Sequence, residues 1–172
     1  MSKRKYLSLL AGVGILCCAG AVPALAGGSA FVGLSAPTGD FGDAANISYH
    51  LGAAYDMPVA PMFSAGVRAA YNRWGWENDV DGNFNAIEAL AYGKISAPAG
   101  PFGMLGFGLS SSKAELTLPG LPTQESDRQS DFTWAVGGGY SFMMVEMTAL
   151  YHSISTEGSS TNYFTISAGV GF

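Results

Sequence analysis

The stretch Ala45-Asn46-Ile47-Ser48-Tyr49-His50-Leu51-Gly52-Ala53-Ala54-Tyr55-Asp56-Met57 alternates with a period of two. Ile47, Tyr49, Leu51, Ala53, Tyr55 and Met57 share one face, and Asn46, Ser48, His50, Gly52, Ala54 and Asp56 share the other. Strand side chains point to alternating faces, whereas a helical face repeats every 3.6 residues. The stretch therefore reads as a strand with one apolar and one small or polar face.

The same pattern recurs along the chain. Phe63, Ala65, Val67, Ala69 and Tyr71 oppose Ser64, Gly66, Arg68, Ala70 and Asn72. Phe132, Trp134, Val136 and Tyr140 oppose Asp131, Thr133, Ala135, Gly137 and Gly139. Met143, Val145, Met147, Ala149 and Tyr151 oppose Glu146, Thr148 and His152. Phe164, Ile166, Ala168, Val170 and Phe172 oppose Thr165, Ser167, Gly169 and Gly171. Weaker signals place strands at 29–36, with Val32, Leu34 and Ala36 together; at 84–95, where Glu88 alone sets the direction; and at 101–112, with Leu105, Phe107 and Leu109 together. The expectation is an all-β chain of eight strands, each near the ~9–11 residues of a tilted membrane strand.

Connections alternate in length. Segments 37–44, 74–83, 113–129 and 153–161 are long and polar. Segments 58–61 and 96–100 and a turn near Ser141 are short, and Pro58, Pro61, Pro98 and Gly100 mark the first two. Long connections at one end and short turns at the other fit an up-and-down transmembrane barrel. A soluble lipocalin-type barrel would turn its apolar face inward and carry charge outside. Here Tyr71, Trp134, Tyr151 and Phe164 gather near the long-connection end, and Tyr55, Phe63, Tyr140 and Phe172 near the other. Two aromatic girdles suit two lipid headgroup levels.

The N-terminus sets the compartment. Lys3, Arg4 and Lys5 precede an uncharged run from Tyr6 to Val22, and Ala24-Leu25-Ala26 ends it. This pattern is a secretory signal peptide over 1–26, with cleavage expected before Gly27 and a barrel over 27–172. The run is too short for a spanning helix, and Pro23 stops it. Both cysteines, Cys17 and Cys18, leave with the signal, so the mature chain has no disulfide or thiolate site. Lipidation at Cys18 would want a small residue before it, and Cys17 stands there. Three of the eight basic residues also leave, so the mature charge is 5 − 13 = −8. A nucleic-acid partner is excluded on charge. Only 12% of residues are charged, and no apolar stretch after the signal would form a membrane helix.

The segments Phe31-Val32-Gly33-Leu34-Ser35 and Tyr151-His152-Ser153, and above all Phe164 to Phe172, carry a family resemblance. The mature chain resembles the OmpA/OmpX-like family of eight-stranded outer-membrane β-barrels. The resemblance implies an outer-membrane location in a Gram-negative envelope, a monomer without cofactor, and contact with outer-membrane lipid and lipopolysaccharide. It also implies that Phe164, Ile166, Ala168, Val170 and Phe172 form the signal read by the barrel-assembly machinery. The chain stops at its last strand, so no peptidoglycan-binding domain is expected. Such barrels serve structural, surface-interaction and other roles, so the fold fixes no single activity.

Arg68, Glu88, Glu146 and His50 lie mid-strand. Facing lipid, an Arg would cost ~2–4 kcal/mol at the midplane. Arg68, Glu88 and Glu146 are therefore expected inside, as an ion-pair network plugging the barrel. A hairpin centred on Asn78 would pair Arg68 directly with Glu88, since their numbers sum to 156. An eight-stranded interior is just filled by side chains, but the many interior glycines leave some room for water, so the alternative function is a small, porin-like pore or transport aid for small solutes or ions. A lipid A-modifying esterase is a third reading. It would need a His and a Ser two residues apart on one lipid-facing strand face, but Ile154 stands two after His152, and Ser153 points the other way. Asp79-x-Asp81-x-Asn83, with Glu77, begins like a calcium loop, but its Gly is at 82 and the twelfth-position Glu is missing. No catalytic, metal or cofactor residue is assigned. A solvated acidic loop is the expected reading, and divalent bridging to lipopolysaccharide is the alternative.

Overall fold

The computed structural model describes residues 27–76, 81–117, 124–156 and 158–172. The signal-peptide reading and most of the acidic loop around Asp79 lie outside these residues. The described chain is a closed antiparallel barrel. Its strands are β1 (Gly28–Thr38), β2 (Ser48–Ala60), β3 (Phe63–Gly75), β4 (Asp81–Ser96), β5 (Pro101–Thr117), the two-residue β6 (Gln124–Glu125), β7 (Gln129–Phe142), β8 (Val145–Thr156) and β9 (Ser159–Gly171). Each barrel strand pairs with its sequence neighbour; β1 pairs β9, and β4 pairs β5 to complete the wall. β6 adds a short ribbon to the outer end of β5, so eight strands form the barrel.

Alternation becomes an inside and an outside. Along β2, Ser48, His50, Gly52, Ala54 and Asp56 are buried or half-buried, while Tyr49, Leu51, Ala53, Tyr55 and Met57 are exposed. The exposed large hydrophobics include Leu51, Val67, Ile87, Leu105, Phe107, Leu109, Val136, Met147 and Ile166. They encircle the wall. An apolar exterior over a polar interior is the polarity of a barrel made for lipid.

The strands run past the expected ends. Strand enters the expected long connections 113–129 and 153–161: β5 reaches Thr117, and β8 and β9 stay paired as far as Thr156↔Ser159. At the opposite end the turns are tight. Met62 and Met143 adopt positive φ of 78° and 56° there. Met143, expected on the outer face of a strand, therefore lies in the Met143–Met144 turn, and β8 starts at Val145. Ala45 also departs from its strand reading. β2 begins at Ser48, and the preceding segment folds over the long-connection mouth, where Ala45 bridges Trp76 and is buried.

Candidate functional site

The lumen is filled in three tiers. At the long-connection mouth, Trp74 from β3 and Tyr163 from β9 point inward and are fully buried. Their rings meet edge to face at 5.0 Å, and Phe41 and Phe84 pack on Trp74 at 5.4 and 5.6 Å. Ala45, Ala86 and Ile154 complete this plug. The Trp74 indole N–H donates to Ser35 Oγ at 3.1 Å, so its polar edge is satisfied as buried indoles require.

Below it lies Glu88, buried on β4. Its Oε2 accepts from Tyr163 Oη at 2.8 Å and from Thr133 Oγ1 at 3.0 Å. Its Oε1 lies 2.9 Å from His152 Nδ1, without good hydrogen-bond alignment. His152 Nε2 is 3.2 Å from Thr165 Oγ1, and its ring stacks on Tyr163 at 4.6 Å. Strands β4, β7, β8 and β9 are thus tied together across the lumen.

Arg68 is buried on β3 but belongs to the other wall. Its guanidinium stacks over the Phe31 ring at 3.6 Å. That ring lies over Gly52, where a Cβ would come within 2.5 Å of Phe31 Cζ, so only glycine fits there. Arg68 makes no ion pair with Glu88 or Glu146 among the described residues. The register explains this. Arg68 pairs with Leu90, and Glu88 pairs with Ala70. The expected direct opposition of Arg68 and Glu88 is therefore corrected by two residues, the hairpin pairs summing to 158. His50 is buried beside Phe31, with ring centroids 5.7 Å apart.

The third tier closes the short-turn end. Lys94 Nζ lies 2.9 Å from Asp56 Oδ2 and 3.0 Å from Glu146 Oε2, so one cation joins β2, β4 and β8. Tyr92 Oη donates to Asp56 at 2.8 Å, and Ser141 and Thr148 donate to Glu146 at 3.2 and 3.3 Å. Tyr92, Phe102, Met104 and Leu150 pack just above. Glu146 therefore belongs to Lys94 and not to Arg68. Arg68, Glu88 and Glu146 all reach the lumen, but they fall into three separate contacts.

Sequence reasoning missed Lys94, Asp56, Thr133, Tyr163 and Trp74. Parity could have found them: Glu88 inward puts Lys94 inward, and His50 inward puts Asp56 inward. His152 faces the lumen and is buried, so it cannot serve the esterase geometry, which needs the lipid face. Among the described residues no group of three His, Cys, Asp or Glu side chains is placed to hold a metal. Phe164, Ile166 and Ala168 are exposed on the outer face of β9.

The chain matches no protein-family model and no curated protein sequence. Its fold does match solved structures. Neisserial surface protein A aligns with a TM-score of 0.66 at 18% identity, over 84% of this chain and 96% of that one. The attachment invasion locus protein Ail of Yersinia pestis aligns with a TM-score of 0.60 at 15% identity, over 85% and 99%. The N-terminal β-barrel domain of Pseudomonas aeruginosa OprF aligns with a TM-score of 0.52 at 10% identity, over 85% and 98%. The fold is that of the small eight-stranded outer-membrane barrels.

Proposed function

We propose that this chain is an integral outer-membrane barrel with a structural or surface-interaction role, held as a monomer among outer-membrane lipid and lipopolysaccharide after insertion by the barrel-assembly machinery. The observation that carries this reading is the filled lumen inside an apolar wall. The Trp74–Tyr163 plug at one mouth and the Lys94 strap at the other leave solute transport without an open path. Chemistry at the cell surface then falls to the long-connection end.

The charge of that end narrows its partners. Thirteen acids less the three in the lumen leave ten in or beside the long connections, against Arg73, Lys113 and Arg128. Ail has been solved with the heparin analogue sucrose octasulfate, a polyanion. A soluble polyanion arriving from outside the cell is a poor fit for a rim of net charge 3 − 10 = −7. Divalent cations bridging these acids to lipopolysaccharide phosphate suit it better. Protease shaving of intact cells, beside single-channel recording in planar bilayers, tests the reading. Cleavage in the long connections with a silent bilayer is the expected result. Steady conductance by the wild-type barrel would move the assignment to the pore alternative.

A further inference from the structure

Outside the lumen the mature chain has three cations, and they lie on one wall. Tyr49, Arg73, Asn85 and Lys113 form one cross-strand row on β2, β3, β4 and β5, since Tyr49 pairs with Arg73, Arg73 with Asn85, and Asn85 with Lys113. Arg128 is exposed and precedes Gln129, whose partner on β5 is Ser112, so it continues from the Lys113 end of the row. Arg73 and Lys113 share the outward parity of Val67, Ala69, Tyr71, Leu105, Phe107 and Leu109. One outward step toward the barrel middle lie Tyr71 and Ile87, apolar neighbours of the row on β3 and β4, while exposed Ile47 lies one step beyond it, just before β2. The row thus stands where hydrocarbon gives way to headgroups, and it faces sideways toward lipid.

The opposite wall differs. At its outer end, outward positions on β7, β8 and β9 carry Ser130, Ser155 and Asn162, without a cation. Arg73 is exposed and makes no ion pair among the described residues. Lys113 lies 3.5 Å from Glu115, one outward step farther from the belt, and Glu115 also accepts from Asn83 at 3.1 Å. Tyr71 Oη donates to Asn85 Oδ1 at 2.8 Å, which fixes the amide between the two cations. Two strand spacings separate Arg73 from Lys113, about 9–10 Å. Long side chains at that separation can close on one phosphate group, and the guanidinium fork offers it two parallel donors.

We infer that Arg73, Lys113 and Arg128 form a docking row for the phosphate groups of a phosphorylated glycolipid in the outer leaflet. The inference rests on the outer-membrane reading above and names the part of the wall that meets lipopolysaccharide. A zwitterionic phospholipid is a weaker match, because its own amine balances its phosphate. A glycolipid phosphate carries its charge uncompensated.

Native mass spectrometry of the folded barrel in detergent with EDTA tests it, using diphosphoryl lipid A, dephosphorylated lipid A and phosphatidylethanolamine as probes. The wild type should prefer diphosphoryl over dephosphorylated lipid A by about tenfold, as expected for a few charge-assisted contacts. R73Q/K113Q/R128Q should lose that preference, R73Q alone should lose part of it, and Asn162→Ala on the far wall should keep it. Heat-modifiable gel mobility confirms that each variant is folded, and R73Q alone carries the test if the triple variant is not. A preference retained by the variants overturns the row while leaving glycolipid contact elsewhere on the barrel. No preference in the wild type overturns the row as well. Failure of the outer-membrane reading itself is seen separately, as absence of surface cleavage in cells.

Discussion

Glu88 and Arg68 both enter the lumen from neighbouring strands, yet they turn away from each other: Glu88 to Tyr163, Thr133 and His152, and Arg68 to the face of Phe31. The two-residue offset in register separates them. Each buried charge has its own means of compensation, one by hydrogen bonds from Tyr163 and Thr133, the other a desolvated cation–π contact. Energetic coupling should follow these contacts and not mere proximity. A double-mutant cycle on Arg68→Met and Glu88→Gln, read by urea unfolding in lipid, should give coupling of about 0.5 kcal/mol or less. The cycle on Glu88→Gln and Tyr163→Phe should give on the order of 1–3 kcal/mol. The reverse ranking would show that the Arg68–Glu88 pair, not the Tyr163 bond, organises the middle tier.

That offset also marks where the sequence stops being legible. Period two separated inside from outside along β2 and β3, because burying a strand one residue out of phase would reverse every side chain. It says nothing of where a hairpin is centred. Symmetry about Asn78 predicts pairs summing to 156, but pairing through Trp74↔Phe84 sums to 158, and the centre moves by one residue. Partners across the lumen, such as Glu88 with Tyr163, lie 75 positions apart, and no local pattern encodes them. The aromatic plug was hidden for a related reason. Trp74 and Tyr163 fall on inward positions of strands whose other inward residues are small or polar, so the average face reads as polar.

Lys94→Met should be more damaging than its partly accessible position suggests. It removes one cation and leaves two carboxylates, Asp56 and Glu146, facing each other. With these side chains 11–28% exposed, a cost on the order of 1–3 kcal/mol is expected in urea unfolding, below that of a fully dry ion pair. Adding Asp56→Asn and Glu146→Gln to Lys94→Met should recover most of it. Failure of the triple variant to recover would mean that Lys94 acts by packing over the Phe102 ring, 5.0 Å from its Nζ.

The N-terminus of the mature chain should be Gly27. Gly27 already takes part in the wall, its carbonyl accepting from Asp56 N at 2.7 Å, so the barrel begins where cleavage is expected. Intact mass of protein purified from the outer membrane measures this directly. A lipidated N-terminal Cys18 would contradict it.

Deleting Phe172 should lower the folded fraction in cells. Phe172 N donates to Gly28 O at 2.8 Å, and its ring covers Gly28, where a Cβ would come within 2.8 Å of Phe172 Cε2. The residue thus fastens the β1–β9 seam, besides being the last of the alternating apolar set expected to guide assembly. The two roles separate by experiment. Refolding of the deletion variant into lipid vesicles in vitro reports the seam alone, and heat-modifiable mobility of protein made in cells reports both. A defect confined to cells supports the assembly role, whereas equal defects in both settings would assign Phe172 to the seam.

Trp74→Ala should leave the barrel silent in planar bilayers although it opens the upper mouth. The indole is fully buried among Phe41, Phe84 and Tyr163, so its loss should cost about 3–5 kcal/mol if the cavity stays open. The lumen would still be closed below by Tyr92, Phe102, Leu150 and the Lys94 strap. Two seals in series predict that only their joint removal, Trp74→Ala with Lys94→Ala, yields measurable conductance. Folding of each variant is checked by gel mobility before recording. Conductance from Trp74→Ala equal to that of the double variant would mean that the lower tier does not seal, and that the aromatic plug alone keeps this barrel from being a pore.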